Sequence, residues 1–335
     1  MYLNNNMHTK DNQELKALTD KDKKGKERPW RENQLKKIPL EESYTRIGFD
    51  NKAFRVRNCS RQLVFKVNPD SGEKKLHSMI SCQVRLCPMC NWRRSLKIYG
   101  QLSKIMDKAL EDREYRFIFL TLTCENIKGE KLSETIDKLF HAFNLLTKRK
   151  AFKQAAKGWF RALEITHNLN AKSKSYDTYH PHFHIVLMVN KSYFTDPKIY
   201  ITQEKWTSLW KSCLKVDYSP IVHVTAFKTE TRKKTTKSVA EAAKYTVKDT
   251  DYLIPGDEEL TDKTVMVLDG ALSNRRLVAF GGELRKIHKE LNLDDAIDGD
   301  LRNTDNEDDD MRKDLEYILE VYDWHVGYKQ YIKRS

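Results

Sequence analysis

The chain has 335 residues, a length that suits one large domain with appendages or two small domains, with enough residues to bury a hydrophobic core. Lysine and arginine outnumber aspartate and glutamate by 61 to 48, and the net charge of +13 favours a polyanionic partner such as nucleic acid. The N-terminus lacks the apolar core of a signal peptide and no stretch approaches the roughly 20 apolar residues of a transmembrane helix, so we expect a cytoplasmic protein.

The first part of the chain divides into two segments. Residues 1–43 are polar and rich in lysine and asparagine, which predicts a basic, disordered arm. Residues 44–110 form a cysteine-rich element that leads into a helical pattern around Arg94–Leu110, where apolar side chains recur every three or four residues. In a reducing compartment, the six cysteines of the chain are more typical of thiols or metal ligands than of disulfides.

Strands and helices are mixed along residues 111–255. Runs of β-branched and aromatic residues predict strands, and apolar stripes at spacings of three and four predict helices. The predicted elements are a strand at Phe117–Cys124, a helix from Ser133 to about Ala156, strands at Trp159–Thr166 and His182–Val189, a helix at Gln203–Leu214, a strand at Ile221–Phe227 and a helix from about Ser238 to Lys248. Because one strand pair is joined directly, we expect an α+β domain built on an antiparallel sheet.

The C-terminal extension, residues 256–335, has weaker patterns. We expect a strand pair within residues 264–280, then an acidic linker, then an amphipathic helix near Met311–Tyr331. The linker, residues 294–310, holds nine acidic residues against the single base Arg302. Three roles stay open for it: a solvated linker, a contact for a host helicase or polymerase, or a mimic that restrains the basic surface.

A histidine-rich strand carries the sharpest chemical signal. It reads His180-Pro-His182-Phe-His184, followed by four apolar residues. Because side chains alternate along a strand, the three histidines face one side of the sheet and Phe183, Ile185 and Leu187 face the other. Two imidazoles at i and i+2 can bind one divalent ion, and a carboxylate on a neighbouring strand would complete the site. Glu164, in the preceding strand, is the best-placed candidate, and a chance cluster of surface histidines is the alternative.

A second group of chemical side chains lies on the last predicted helix of the domain. Glu241, Tyr245 and Lys248 are spaced by four and three residues, so they share one helical face. A tyrosine hydroxyl has a pKa near 10 and attacks poorly unless its anion is stabilised and its target is polarised. Taken alone, this pattern is more typical of an ordinary amphipathic helix.

Together these motifs resemble those of the HUH replication initiators of rolling-circle plasmids from Gram-positive bacteria. The resemblance covers about residues 55–255 and rests on three ordered segments, Phe119–Thr123 (FLTLT), His180–Val186 (HPHFHIV) and Glu241–Lys248 followed by Asp249-Thr-Asp251. The segment Cys82–Lys97 also resembles the branch of that family with a single catalytic tyrosine and a cysteine cluster ahead of the nuclease motifs. The family implies a five-stranded antiparallel sheet flanked by helices.

The resemblance implies a metal site that binds Mn²⁺ or Mg²⁺. His182 and His184 match the metal-binding pair of the family motif. Glu164 and His180 are the two candidates for the third ligand, and Glu164 is favoured because related enzymes use an acidic or amide residue on the adjacent strand.

The resemblance also implies catalytic roles and partners. Tyr245 matches the nucleophile, Lys248 the lysine of the family's Tyr-x-x-Lys pattern, and Glu241 the carboxylate that replaces a second tyrosine. The implied reaction nicks one DNA strand, leaves a 5′-phosphotyrosine and a free 3′-hydroxyl, and ends with a second cleavage. The implied partners are the plasmid origin, double-stranded and extruded as a single strand, a host helicase and DNA polymerase, and a second copy of the chain in a homodimer.

The clustered cysteines predict a structural zinc site. Cys82, Cys87 and Cys90 lie close in sequence, and Cys59 is the other cysteine nearby. Four thiolates can bind one zinc ion tetrahedrally, and His77 could take the place of Cys59. Unliganded thiols are the alternative, whereas a redox role would need a thioredoxin-like pattern that does not surround these residues.

Two groups of basic residues predict contacts with DNA. Lysine and arginine side chains can bind the phosphates of DNA, and aromatic rings can stack on partly unpaired bases. The groups are Arg85, Arg93, Arg94 and Lys97, which surround Trp92, and Lys228, Arg232, Lys233, Lys234 and Lys237, which precede the tyrosine helix. A solvated basic loop is the alternative for the second group.

Three other functions compete with replication. In relaxases the tyrosine usually precedes the histidine motif, whereas here it follows by some sixty residues. An HUH transposase keeps the order seen here, but the cysteine cluster and Glu241 favour replication. A zinc-containing DNA-binding regulator would need neither the metal at the histidines nor Tyr245.

Overall fold

The computed structural model describes residues 15–22, 24–111, 114–227, 239, 243, 246–304 and 317–334. In these ranges the helices are α1 (Trp30–Arg46), α2 (Asp50–Asn58), α3 (Pro88–Leu110), α4 (Leu132–Lys148), α5 (Lys150–Ala155), α6 (Gln203–Leu214), α7 (Glu258–Leu272) and α8 (Glu283–Glu290). None of these helices is both long and apolar enough to cross a membrane.

The strands form two antiparallel sheets. They are β1 (Gln62–Val67), β2 (Lys74–Met79), β3 (Tyr115–Leu122), β4 (Ala156–Asn168), β5 (Thr178–Asn190), β6 (Val222–Ala226), β7 (Val278–Gly282), β8 (Ile318–His325) and β9 (Gln330–Lys333). The larger sheet has the order β6-β3-β5-β4-β7 and the smaller sheet has the order β2-β1-β8-β9. The predicted α+β class and five-stranded antiparallel sheet are confirmed.

The central sheet packs its apolar face on helix α4. Phe183 of β5 stacks on Phe140 of α4, with ring centroids 5.5 Å apart, and meets the ring of Phe143 at 5.7 Å. The alternation of side chains along the strand and the spacing of three or four residues along the helix both predict that these three rings lie on buried faces. Helix α4 covers one face of β5, and the histidines lie on the opposite face, where they are available for catalysis.

The predicted disordered arm is wrong for residues 30–43, because they belong to helix α1. Trp30 and Leu40 are buried, as is Tyr44, whose hydroxyl donates to Asp269 at 2.8 Å. Burial of each such side chain stabilises the fold by roughly 1.5–3 kcal/mol. The apolar residues of this segment are few and widely spaced among lysines and glutamates, so its composition does not predict a helix that packs on the core.

The predicted strand pair at residues 264–280 is also wrong. Helix α7 occupies most of it and is capped at its N-terminus by Asp257, whose side chain accepts a hydrogen bond from the backbone N–H of Leu260. Residues 278–282 do form a strand, but β7 pairs with β4 at the edge of the central sheet. The central sheet therefore includes a strand from beyond the predicted domain boundary at residue 255.

The predicted C-terminal amphipathic helix is wrong in its described part, residues 317–331. These residues form the hairpin of β8 and β9, and β8 pairs along its length with β1. Tyr322 and Tyr331 are buried by this pairing. The secondary structure of a short segment rich in aromatic and β-branched residues depends on what it packs against. Here the segment forms a strand because it pairs with the free edge of β1.

Candidate catalytic and metal-binding sites

Strands β4 and β5 bring one carboxylate and two imidazoles together. In the antiparallel register Glu164 lies directly opposite His182, and Ala162 lies opposite His184. Opposed residues share a face of the sheet, with Cβ atoms about 5 Å apart. Because Ala162 is small, the Glu164 carboxylate has room to reach both rings.

The three side chains form a compact cluster. Nε2 of His184 is 2.7 Å from Oε2 of Glu164, and Nε2 of His182 is 3.6 Å from the same oxygen. The candidate ligand atoms all lie within 4.8 Å of one another, and the residues are between 5% and 8% exposed. Two imidazoles and one carboxylate make a donor set that can hold a divalent ion and leave further positions open.

Each imidazole is oriented through its other ring nitrogen. Nδ1 of His182 is hydrogen-bonded to the backbone carbonyl of His180 at 3.0 Å, and Nδ1 of His184 lies 3.4 Å from the hydroxyl of Thr121 on β3. Such outer contacts hold a ring with its remaining nitrogen directed at the ion. Thr121 belongs to the first family segment, but no role was predicted for it.

His180 stands beside the cluster and does not join it. Within the described residues, the group around His182 that could hold a metal ion consists of Glu164, His182 and His184. The ring of His180 stacks on that of His182 with centroids 5.1 Å apart, and burial lowers the pKa of His180. Of the two candidate third ligands, the geometry therefore favours Glu164.

The electrostatics of the cluster suit a cation. Burial alone would raise the pKa of Glu164, but hydrogen bonds from His182 and His184 hold it well below its ordinary value. The carboxylate therefore stays ionised at every physiological pH.

Lys248 reaches the cluster from the chain segment that follows Tyr245. Its Nζ is 3.8 Å from Oε1 of Glu164. The segment is attached to β4 because the N–H of Ile165 donates to the carbonyl of Thr246 at 2.7 Å. Several predicted site residues lie outside the described residues: Glu241, Tyr245, Lys228, Arg232, Lys233, Lys234 and Lys237.

Asp251 is a titratable neighbour of the cluster to which sequence reasoning assigned no role. Burial raises the pKa of its carboxyl group to about 6; the charge of Lys248 opposes this shift and that of Glu164 adds to it. The backbone carbonyl of Asp251 is 3.1 Å from Nδ1 of His167, and Nε2 of the same ring is 3.0 Å from Oδ1 of Asp177. The one sequence feature that could have predicted a place near the cluster is the position of Asp251, three residues after Lys248.

The four cysteines of the predicted zinc site meet around one point. Sγ of Cys90 is 3.6 Å from Sγ of Cys59 and 3.6 Å from Sγ of Cys82, and Sγ of Cys87 is 3.7 Å from that of Cys59. Zinc–sulfur bonds of about 2.3 Å in a tetrahedron separate the sulfurs by roughly 3.8 Å, so the spacing fits a tetrahedral ion. His77 is exposed on β2 and lies outside this group.

The thiols are fully enclosed and electrostatically coupled. All four are buried, and no disulfide joins the cysteines of the described chain. Hydrogen bonds from the neighbouring thiols lower the pKa of Cys59, whereas burial raises the pKa of Cys87. The ammonium of Lys37, itself buried, donates to the carbonyl of Cys59 and places positive charge beside the thiols.

The predicted DNA contacts of helix α3 are not exposed. Arg93, Arg94 and Lys97 are at most 1% exposed and bind the first part of the acidic segment, residues 294–302, which we call the acidic strap. Arg93 donates to the carbonyls of Leu301 and Arg302, Arg94 donates to that of Ile297, and Lys97 pairs with Asp294 at 2.7 Å. Arg85 pairs with Asp298 at 3.2 Å. Arg93, Arg94 and Lys97 hold the strap and are too buried to form the predicted DNA-binding surface, whereas Arg85 precedes α3 and is only partly buried.

Comparisons with known proteins identify the family of the chain. A family model described as a replication protein matches residues 73–332, which include the Glu164 cluster and three of the four clustered cysteines. No solved structure matches the chain.

Relatives are similar over most of the chain. A protein named "Protein rep" from Bacillus amyloliquefaciens is 41% identical, with 97% of this chain and 99% of the relative covered. Another from Streptococcus pneumoniae is 35% identical over 90% of this chain and 92% of its own length, and one from Staphylococcus aureus is 37% identical over 63% and 88%. The chain therefore belongs to the replication protein family, the Rep proteins of Gram-positive bacteria.

Proposed function

We propose that this chain initiates rolling-circle plasmid replication by nicking one DNA strand at the double-strand origin, with Tyr245 as the nucleophile. The observation that carries the proposal is the buried cluster of Glu164, His182 and His184 with the ammonium of Lys248 beside it. Tyr245 comes three residues before Lys248 and directly precedes Thr246, which is bonded to the strand that carries Glu164.

The cleavage step exchanges one phosphodiester for another. The hydroxyl oxygen of Tyr245 forms a bond to the phosphorus, the bond from phosphorus to the 3′-oxygen breaks, and that oxygen leaves with a proton as a free 3′-hydroxyl. Lys248 stabilises the phenolate and the charge on the phosphate during attack. Because a 5′-phosphotyrosine conserves the energy of the bond, the strand can later be rejoined.

The cluster fits a resident Mn²⁺ or Mg²⁺ ion. His182, His184 and Glu164 would hold it, and its charge would polarise the scissile phosphate. The chain's own contribution is orientation: Glu164 remains ionised between the two rings, and the outer contacts of the rings keep their Nε2 atoms on one side.

The four-cysteine site fits a structural zinc ion. The donor set is four soft sulfurs, fully buried, with spacing close to that of a tetrahedron. Cys87 ends the loop before α3 and Cys90 lies in its first turn, so the ion would fix the start of this helix against α2. Four buried sulfurs would fill a tetrahedral coordination sphere, so the role of the ion would be structural.

Covalent attachment to DNA tests the nicking proposal. The purified full-length chain is mixed with supercoiled DNA of the plasmid that encodes it and with Mn²⁺, and protein–DNA adducts that survive denaturation are counted. Tyr245→Phe is the matched variant because it removes one oxygen. We expect an adduct with the natural chain and none with Tyr245→Phe. DNA binding without any nick would favour a non-catalytic regulator, and nicking by Tyr245→Phe would place the chemistry on another residue.

Termination gives a second prediction, for Glu241. Glu241 comes four residues before the tyrosine, and a carboxylate near the tyrosine could act as general base for water in the final cleavage, which would leave no second stable adduct. Glu241→Ala and Glu241→Tyr should therefore still nick the origin but fail to release clean monomeric circles. Normal termination by either variant, measured from the replication products on a gel, would refute this role.

A further inference from the structure

A groove of about 380 Å³ lies between helix α3 and the chain segment that follows Tyr245. Its α3 wall includes Trp92, Leu96 and Tyr99, and its opposite wall includes Val247 and Lys248. The function proposed above uses Lys248 but leaves the groove without a role. Its size falls within the range of natural small-ligand sites.

One residue, Lys248, links the groove to the catalytic cluster. Lys248 lines the groove, and its ammonium is 3.8 Å from the carboxylate of Glu164. A ligand in the groove would therefore be separated from the proposed site of phosphate cleavage by no more than the side chain of Lys248.

Two aromatic side chains stand along one wall. Trp92 and Tyr99 are seven residues apart on α3, two helical turns, so they lie on the same face. Both rings are only half-buried. Trp92 is held in place by the edge of the buried Trp30 ring, 4.6 Å between centroids, and by the guanidinium of Arg93 at 5.5 Å. A fixed ring of this kind can stack on a flat ligand at little entropic cost.

A polar group with unused bonding capacity lines the same groove. Asn33 of α1 is only 6% exposed, and its side-chain amide nitrogen has no hydrogen-bond partner among the described residues. A buried amide left unpaired is costly, so an acceptor bound in the groove would stabilise this side chain.

We infer that this groove binds an unpaired base of the DNA strand next to the phosphate that is cut. A nucleobase has an apolar face for Trp92 and Tyr99, an acceptor edge for Asn33, and an attached phosphate for Lys248. The basic chain and the junction with the catalytic cluster favour a nucleotide over an apolar peptide. The inference rests on the proposed nicking function and adds the residues that position and select the base.

Base-dependent affinity tests the inference. Fluorescence anisotropy measures binding of the full-length chain to a labelled single-stranded dT 12-mer and to an abasic 12-mer of the same charge. We expect the dT 12-mer to bind about tenfold more tightly, since each stacked base adds a factor of this order. Tyr99→Leu and Trp92→Leu should remove most of that preference and leave the affinity for the abasic strand unchanged, and Asn33→Leu should reduce it in part.

The control variant is Phe54→Leu, which changes an aromatic side chain that is 63% exposed on α2, outside the groove. Trp92 also packs on Trp30, so unfolding midpoints are compared, and Tyr99→Leu tests the groove if Trp92→Leu unfolds. Equal binding of the two strands by the natural chain, or full preference in a folded Tyr99→Leu variant, would overturn the inference. Covalent adducts with no base preference would refute the groove alone, whereas base preference without adducts would refute the nicking proposal.

Discussion

Glu164 is the residue on which the candidate active site depends. It contacts two histidines and lies near the ammonium of Lys248, so a single carboxylate joins the candidate metal ligands to the lysine that follows the predicted nucleophile by three residues. A buried, ionised carboxylate is stable only with such partners.

Removal of this charge should weaken metal binding. Glu164→Gln keeps the size of the side chain but loses the anionic ligand, so we expect the affinity for Mn²⁺ to fall by at least about tenfold, with a matching loss of adduct formation at limiting Mn²⁺. Isothermal titration calorimetry measures the affinity. Glu125→Gln, at an exposed position, is the control. Unchanged affinity in Glu164→Gln would remove Glu164 from the ligand set.

Asp251 predicts a pH dependence of stability. Its folded pKa of about 6 lies above the value near 3.9 of an unfolded aspartate, so the folded chain binds this proton more tightly. The stabilising effect is complete below about pH 4 and is lost as the pH rises through 6. Relative to Asp251→Asn, the natural chain should lose roughly 1 kcal/mol between pH 4 and 7, a value reduced for solvent screening.

Urea unfolding of both chains at a series of pH values, without added divalent ions, measures the difference. The exposed Asp70→Asn is the control. A difference between the natural chain and Asp251→Asn that stays constant from pH 4 to 7 would contradict the prediction.

At the scale of elements, helix α3 joins several parts of the chain. Cys87 and Cys90 at its start belong to the thiol cluster, its middle binds the acidic strap, and one face lines the groove. Its arginines use backbone carbonyls of the strap as acceptors, so an acidic segment and a basic helix become one packed unit. This explains why a run of cations in sequence does not become a surface for DNA.

The strap contact should contribute strongly to stability. Arg94→Met keeps the apolar stem but leaves the carbonyl of Ile297 and the side chain of Gln83 without their donor, so we expect a loss of about 2–4 kcal/mol of unfolding free energy. Denaturant unfolding measures it, with the largely exposed Arg302→Met as control. If Arg94→Met instead unfolds normally but binds DNA less tightly, the predicted role in DNA binding would be restored.

At the scale of the whole molecule, the two ends of the chain meet at the cysteine cluster. β1, near the N-terminus, pairs with β8, near the C-terminus. The hydroxyl of Tyr331 donates to the carbonyl of Ser60, next to Cys59, and the amide of Gln34 donates to the carbonyl of Cys59 at 3.1 Å. The stability of this region should therefore depend on the proposed zinc ion.

Loss of the ion should lower the stability of the chain. The paired variant Cys87→Ser and Cys90→Ser should contain almost no zinc by atomic absorption, against one ion per natural chain, and should unfold at least about 5 °C lower. Cys213→Ala is the control because this thiol is buried in α6, outside the cluster. Equal zinc content in the paired variant and the natural chain would refute the site.

The predictions that held depend on local patterns. Alternation along β5 is enough to separate the histidines from Phe183, and the apolar stripe of α4 is enough to predict the helix that covers that phenylalanine. The cysteine spacing likewise brought the four thiols together as one group before their geometry was known. Each of these features is determined by residues a few positions apart, whose relative directions follow from backbone periodicity.

The features that failed or were missed are decided by distant parts of the chain. The register of β4 against β5 places Glu164 beside His182 and His184, and the strap buries Arg93, Arg94 and Lys97. The C-terminal segment forms a strand because it pairs with the edge of β1. The groove beside Lys248 likewise needs α1, α3 and the segment after Tyr245 to meet. The sequence alone determined which chemical groups lie on each element, because that follows from local backbone geometry. Only the tertiary structure decided which of those groups meet, because burial and hydrogen bonding are satisfied between residues as far apart as 34 and 331.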